Sequence, residues 1–468
     1  MVKNYRLAKP MTPSSLPVAG DGSRASHQRP APCFLARRVV AQGFVAAGLV
    51  VTSMAARADL PYDREPINYL TADATDPVAG LKKLVESKQV VLEKEGPQGY
   101  LRAVLKALDV PISSQVLVFS KSSLQISRIS PRTPRAIYFN DEVYIGYVQR
   151  GEGIEVSAVD PELGGVFYFI EAAEDGGPPT IERRTHDCLQ CHLSGRTEDV
   201  PGHLVRSIPT EPSGRMLFSA GSSLSTHESP LKERWGGWYV TGRSGGQAHL
   251  GNLLADPTAR DGPQPVANDV LDLAGRLNLK PYLSPHSDIV ALMVLEHQVK
   301  MHNLIAVANY QARMALQYAK EINKAFGEPE GTISESTARR FDGPAEKLVK
   351  YMLFVEEADL SGKVEGTSPF ADEFAARGPR DPQGRSLRDF DLTTRLFKYP
   401  CSYLIYSKAF DALPAPVKER TYRRLWEVLT GRDQSPAFAR RTPEQRQAIL
   451  EILLATRPDL PDYWREAR

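Results

Sequence analysis

Three residues whose side chains bind metals or carry thiol chemistry stand together in the segment THDCLQCHLSG. Cys188 and Cys191 are separated by two residues, and His192 follows directly, in a chain of 468 residues that has only four cysteines. The spacing C-x-x-C-H is the attachment pattern of haem c, in which two thioether bonds hold the porphyrin and the adjacent imidazole is the proximal iron ligand. We therefore predict one covalently attached haem c, bound by Cys188, Cys191 and His192.

Two other chemistries use a C-x-x-C pair. A zinc site needs about four ligands, and the sequence contains no second C-x-x-C and no C-x-x-H. A thioredoxin-like dithiol needs a strand before the pair and a helix that begins at the first cysteine. The run of acidic residues, glycine and proline at 174–179 predicts no such strand, so a dithiol or a mixed-ligand metal site is the less favoured alternative.

The second iron ligand decides between an electron carrier and a site for small-molecule chemistry. His297 is the preferred candidate, because it lies in an apolar stripe that recurs every three or four residues along a predicted helix: Val290, Val294, Met301, Leu304 and Ala308. The alternative for His297 is a core histidine with ordinary hydrogen-bond partners. His249, in a glycine-dense loop, and His203, close to the cysteines, are further candidates.

Other residues near the motif have weaker signals. Arg183, Arg184 and Arg206 flank the cysteines and could pair with haem propionates, although solvated surface arginine is the alternative. Cys401 has no cysteine left to pair with once the C-x-x-C thiols are used, and we interpret it as a buried free thiol.

The N-terminal segment predicts export. Arg37 and Arg38 precede the apolar run VVAQGFVAAGLVV, and an A-x-A pattern ends at Ala58, as in a secretory signal peptide. An uncleaved membrane anchor is the alternative. Residues 59–468 carry 50 basic and 55 acidic residues, a formal net charge of −5, which disfavours nucleic acid and anionic lipid as main partners. We expect a periplasmic or extracytoplasmic protein, with no integral membrane span after cleavage.

The elements that must position the motif change along the chain. Short helices are predicted at 76–95 and 100–108, and segments rich in Val, Ile, Tyr and Phe between residues 115 and 173 predict an antiparallel β-meander. Short strands are expected at GHLVRSIP, RMLFSAG and GGWYVTG. Helices are predicted at 287–326 and 334–359, near Phe370, and at 402–413, 416–430 and 443–455.

These patterns predict an α+β protein rather than the small all-helical cytochrome c fold. We expect a leader at 1–58, a β-rich haem-binding domain at 59–262 with the attachment loop, and an α-helical domain at 263–468.

A wider set of segments resembles one family. RTPRAIYFNDEVYIGYV, SAVDPELGGVFYF, CLQCH, VPGHLVRSI, RWGGWYVTG and SDIVALMVLEHQ together look like those of large exported bacterial monohaem c-type proteins, over most of residues 110–303. The resemblance implies haem c and export, and it implies no reaction and no substrate.

The sequence therefore predicts an exported c-type cytochrome that transfers single electrons to an unknown redox partner. The alternative is a haem enzyme or gas sensor with an open distal site, acting on peroxide or nitrogen oxides, in which His249 or His203 assists proton transfer. Nucleotide-driven and hydrolytic classes have no support, because the sequence has no P-loop, Rossmann glycine pattern, G-x-S-x-G or H-E-x-x-H motif.

Overall fold

The computed structural model describes residues 61–173, 177–259 and 261–467. Its N-terminal half contains an antiparallel sheet and its C-terminal half is helical, which confirms the α+β prediction. The predicted leader at 1–58 lies outside the described residues. Among the described residues, no helix combines the length and the apolar character needed to cross a membrane.

Nine short or medium strands are described. They are β1 (Val116–Val118), β2 (Arg135–Phe139), β3 (Val143–Tyr147), β4 (Gly153–Asp160), β5 (Gly164–Glu171), β6 (Thr180–Arg183), β7 (Arg206–Ser207), β8 (Ser223–Leu224) and β9 (Trp238–Tyr239). Seven of them form one sheet in the order β6, β5, β4, β3, β2, β1, β9, and β7 pairs with β8. The predicted meander corresponds to β1–β5.

The β2–β3 hairpin shows why the β-meander could be predicted from the sequence. The Asn140 side chain accepts hydrogen bonds from the backbone N–H groups of Glu142 (3.0 Å) and Val143 (2.8 Å), closing the turn between the strands. Asparagine favours such turns because its short amide can replace a backbone acceptor.

The two faces of the sheet pack against different parts of the chain. Residues directly opposite each other in an antiparallel pair share a face, so Tyr144, Ser157 and Phe167 lie on one face together with Glu155. Tyr144 on this face joins the core of the helical half. The other face, which includes Tyr138, packs against the N-terminal helices.

Ten α-helices are described. They are α1 (Pro77–Glu86), α2 (Leu101–Ala107), α3 (His186–His192), α4 (Ile289–Phe326), α5 (Glu335–Ala338), α6 (Asp342–Met352), α7 (Phe370–Ala376), α8 (Lys408–Asp411), α9 (Ala415–Leu429) and α10 (Pro443–Thr456). The 38-residue helix α4 begins after the N-cap Asp288, whose side chain accepts from the N–H groups of Val290 and Ala291, and it ends at Gly327 in the left-handed conformation.

Four predicted elements differ from the structure. The helix expected at 76–95 ends at Glu86, and the helix expected at 402–413 is divided into a 3-10 turn at Tyr403–Tyr406 and α8. The helix expected at 334–359 is divided into α5, a 3-10 turn at Arg339–Phe341 and α6. Pro344 explains the division, since proline fits only the first turn of a helix and interrupts any helix that would continue through it. A strand expected within RMLFSAG forms instead at Ser223–Leu224.

The two halves share their packing. The described residues belong to one compact unit, and one hydrophobic cluster joins Val116 and Phe139 of the sheet to α4, α6 and α9. The division into domains at 59–262 and 263–468 stays a prediction.

Candidate haem-attachment site

The attachment motif occupies a short helix that directly follows the edge strand of the sheet. Cys188, Cys191 and His192 are at positions i, i+3 and i+4 of α3, so they lie on one helix face. Cys188 is half-buried and Cys191 is exposed. Two thiols and an imidazole on a single face can meet one porphyrin.

The strand β6 ends three residues before α3, which corrects the expectation that no strand precedes the cysteine pair. The Gly- and Pro-rich run at 174–179 hid this strand, because only six residues lie between the run and the helix and only four of them form β6. The dithiol alternative nevertheless loses support on other grounds. Burial raises the pKa of Cys188 to about 12, whereas a redox-active dithiol needs a lowered thiol pKa.

The His192 ring is oriented by a backbone carbonyl. Its Nδ1 lies 2.8 Å from the carbonyl oxygen of Gly202. A carbonyl can only accept, so Nδ1 donates, and Nε2 is left as the basic nitrogen. Metal-binding histidines characteristically donate their second N–H to a carbonyl or a carboxylate, which fixes the ring and raises its basicity. Burial lowers the pKa of His192, which keeps the imidazole neutral and able to bind a metal.

Helix α4 holds the segment that carries this carbonyl. The Asn303 side chain accepts from the His203 N–H (2.9 Å) and donates to the His203 carbonyl (2.7 Å). Gly202 has no room for a side chain, since a Cβ atom there would lie 2.9 Å from Asn303 Cγ and still closer to its Oδ1. The contact between Gly202 and Asn303 therefore sets where the His192 ring points.

Aromatic side chains enclose the same imidazole. The Phe167 ring centroid is 4.7 Å from that of His192, and the His203 ring centroid is 6.5 Å away. His203 is 5% exposed, and neither of its ring nitrogens has a hydrogen-bond partner among the described residues. Tyr144 packs 4.5 Å from His203, centroid to centroid.

Chain connectivity decides on which side of an iron His203 would stand. The Gly202 carbonyl lies at Nδ1 of His192, and His203 is the next residue. Nε2 is on the far side of the imidazole ring. His203 therefore lies on the proximal side, behind His192, and cannot face it across an iron bound at Nε2. The role of a distal proton-transfer group, considered above for His203, does not suit this position.

A polar network begins at Tyr144, which packs against His203, and extends into the core. The Tyr144 hydroxyl lies 2.8 Å from His302 Nδ1 and accepts from the Gln298 side chain at 3.0 Å. The Tyr403 hydroxyl in turn donates to Gln298. Burial lowers the pKa of His302 to about 3, so this imidazole is neutral. No sequence pattern other than the apolar stripe on α4 pointed to this network.

His297 lies in the core of the helical half. Its Nδ1 is 2.8 Å from His227 Nδ1, and its Nε2 is 2.8 Å from the Ser402 hydroxyl. Tyr351 and Phe354 stack on the ring at centroid distances of 5.4 Å and 4.4 Å. Both ring nitrogens are thus engaged, as in the core-histidine alternative. Iron binding by His297 stays a prediction, and this geometry argues against it.

The remaining predicted residues have varied positions. Arg183 donates to the carbonyls of Tyr69 and Ala72, so it supports the fold. Arg184 pairs with Glu182 at 3.0 Å. Arg206 donates to Ser222 at 2.7 Å, and its buried Nε has no hydrogen-bond partner among the described residues.

His249 and Cys401 lie in buried surroundings. The ring of His249 packs against Trp235 at 5.1 Å, and its Nδ1 accepts from the Gly251 N–H at 3.1 Å. Cys401 is fully buried, and burial raises the pKa of its thiol to about 12, as expected for an inert core thiol.

The described side chains alone do not form a metal site. Within the described part of the chain, no group of three or more His, Cys, Asp or Glu side chains is placed to hold a metal ion by itself. A porphyrin supplies four of the iron ligands, so the protein needs to supply only one or two.

Searches against protein families, curated proteins and solved structures found no match.

Proposed function

We propose that this protein is an exported c-type cytochrome that carries one haem c on Cys188 and Cys191, with His192 as the proximal ligand. The observation that carries the proposal is the hydrogen bond from His192 Nδ1 to the Gly202 carbonyl, which leaves Nε2 as the basic nitrogen of a residue that shares one helix face with the two cysteines. A bound haem would supply a reversible one-electron couple at iron.

The protein residues would then perform three tasks. The thiols of Cys188 and Cys191 anchor the porphyrin edge. His192 is held in one tautomer and one orientation by the Gly202 carbonyl, and Asn303 holds this segment through its hydrogen bonds to the His203 backbone. Phe167 excludes water from one side of the imidazole. Rigid ligands favour electron transfer, because less reorganisation accompanies a change in iron charge.

A haem enzyme or a gas sensor is the second candidate. His203 stands on the proximal side, and both nitrogens of His297 are engaged. His249 packs against Trp235 and accepts from the Gly251 N–H. These placements favour a sixth position that none of the three histidines fills. An open position would admit a small ligand.

The attachment is tested on the exported protein. We expect a denatured mass increased by one haem and a pyridine haemochrome spectrum of the thioether-linked type. The variants C188S and C191S should each lose one thioether bond, and the double variant should lose covalent haem. The variant C401S is the control and should keep its haem. Thiols of Cys188 and Cys191 that remain free to alkylate in the natural protein would refute the proposal.

A further inference from the structure

A cationic cleft lies at the end of the sheet where β2 begins and β3 ends. It has a volume of about 410 Å³, and it is lined by Ser127, Arg128, Arg132, Thr133, Gln149, Arg150 and Asn278. Three of these seven residues are arginines and none is acidic. Among the described residues, the cleft arginines make one ion pair, between Arg128 and Glu152 at 3.9 Å, and both side chains are largely in solvent (43% and 77% exposed). Exposed pairs of this kind neutralise little charge.

Two large apolar side chains stand in solvent next to this cleft. Leu124 is 51% exposed and Ile126 is 50% exposed, and both belong to the loop that contributes Ser127 and Arg128. Exposed apolar side chains surrounded by charge are the usual composition of a transient protein interface. A small anion would need the arginines and would gain nothing from Leu124 and Ile126.

The loop is tied directly to the haem-attachment site. Ser123 donates to Glu155 at 2.5 Å, and Gln125 donates to the same carboxylate at 3.2 Å. Glu155 also pairs with Arg135 at 2.8 Å. Glu155 shares its sheet face with Phe167, whose ring contacts His192. The loop that borders the cleft is therefore linked through Glu155 to the sheet face on which His192 packs.

The local charge opposes the charge of the chain as a whole. Residues 59–468 have a formal net charge of −5, yet the cleft presents Arg128, Arg132 and Arg150 together. A field of this kind orients an approaching molecule, since an anionic partner is repelled elsewhere and attracted at this position.

We propose that this cleft, with Leu124 and Ile126, is the docking surface for an acidic redox protein that exchanges electrons with the haem. The proposal rests on the proposed function. The partner would place carboxylates against the three arginines and an apolar contact against the loop. One electron would pass between the partner's cofactor and the haem iron, with one oxidised as the other is reduced.

The test compares two variants of equal net charge, both made in the haem-loaded exported protein. One is R128E/R132E/R150E, which reverses the cleft. The other is K320E/K324E/K363E, which reverses three exposed lysines of the helical half. The probe is reduced flavodoxin, a strongly acidic electron-transfer protein. Stopped-flow spectroscopy gives the rate constant of haem reduction at several ionic strengths, and dithionite gives the rate without docking.

We expect the cleft variant to be reduced by flavodoxin roughly 10- to 100-fold more slowly than the natural protein at low ionic strength, and the three proteins to converge at high salt. The lysine variant should stay within about threefold of the natural protein. Equal slowing of both variants, or no slowing in either, would overturn the docking surface. Failure of the natural protein to carry haem would instead overturn the proposed function, and equal dithionite rates show that the haem itself is unchanged.

Discussion

Replacing Gly202 with alanine should disturb the hydrogen bond that orients the His192 ring. The added Cβ would overlap the Asn303 side-chain amide, whose oxygen and nitrogen are both engaged by the His203 backbone. Overpacking of this kind costs about 1–3 kcal/mol, and a weakened hydrogen bond between Asn303 and His203 adds about 1 kcal/mol. We expect the free energy of unfolding to fall by about 2–4 kcal/mol.

The same substitution should change the electronic properties of a bound haem. Moving the Gly202 carbonyl weakens the hydrogen bond from His192 Nδ1, which makes the imidazole less basic and stabilises ferric iron less. A differential of ~1 kcal/mol corresponds to about 40 mV for one electron. The midpoint potential of G202A should therefore rise by about that amount.

The control is Gly195→Ala, in the same segment. A Cβ atom at Gly195 would be 3.9 Å from its nearest neighbour, Asp199 Oδ1, so it has room. This variant should unfold within about 1 kcal/mol of the natural protein and keep its potential. Urea unfolding and spectroelectrochemical titration give both quantities. If G202A matched G195A in stability and potential, the Gly202 contact would not position His192.

Two further substitutions test the buried histidines on α4. His297→Ala should lower the free energy of unfolding by about 2–5 kcal/mol, because it leaves His227 and Ser402 without this partner and opens a cavity. The visible spectrum of the haem should stay the same. A change of spin state would instead show that His297 binds iron. His302→Gln should reduce the pH dependence of the free energy of unfolding. The pKa of His302 is about 3 in the folded protein and near 6.5 in the unfolded chain, so its stabilising contribution is present above pH 6.5 and is lost as the pH falls towards 3. The expected slope is about 1.4 kcal/mol per pH unit. Urea unfolding between pH 4 and pH 7 measures that slope, and an unchanged slope in H302Q would contradict the buried neutral imidazole.

Local sequence signals gave the elements of this fold. The meander was predictable because its strands are rich in Val, Ile, Tyr and Phe and are separated by turn residues such as Asn140. Helix α4 was predictable to within two residues, since a capping Asp288 and a terminating Gly327 bound a long apolar pattern. The strand β6 was missed because it has only four residues and follows a turn-rich run.

The site was predictable only where it is local. C-x-x-C-H located the three residues of α3, but the partner of His192 is a backbone carbonyl, which leaves no trace in residue type. Asn303 is 100 residues from the segment it holds. For His297, the apolar stripe correctly indicated burial. That stripe is the same for a core helix and for a haem wall, so only the hydrogen bonds to His227 and Ser402 distinguish them.

If the protein carries haem c as proposed, the contact between Asn303 and the Gly202 segment affects the order of steps in its biogenesis. The cysteines leave the translocation channel more than a hundred residues ahead of Asn303. Thioether formation can therefore precede the arrival of α4, whereas the proximal imidazole acquires its final orientation only after that helix has docked. A nascent chain truncated before Ile289 should capture haem and yet hold it with a loosely oriented ligand.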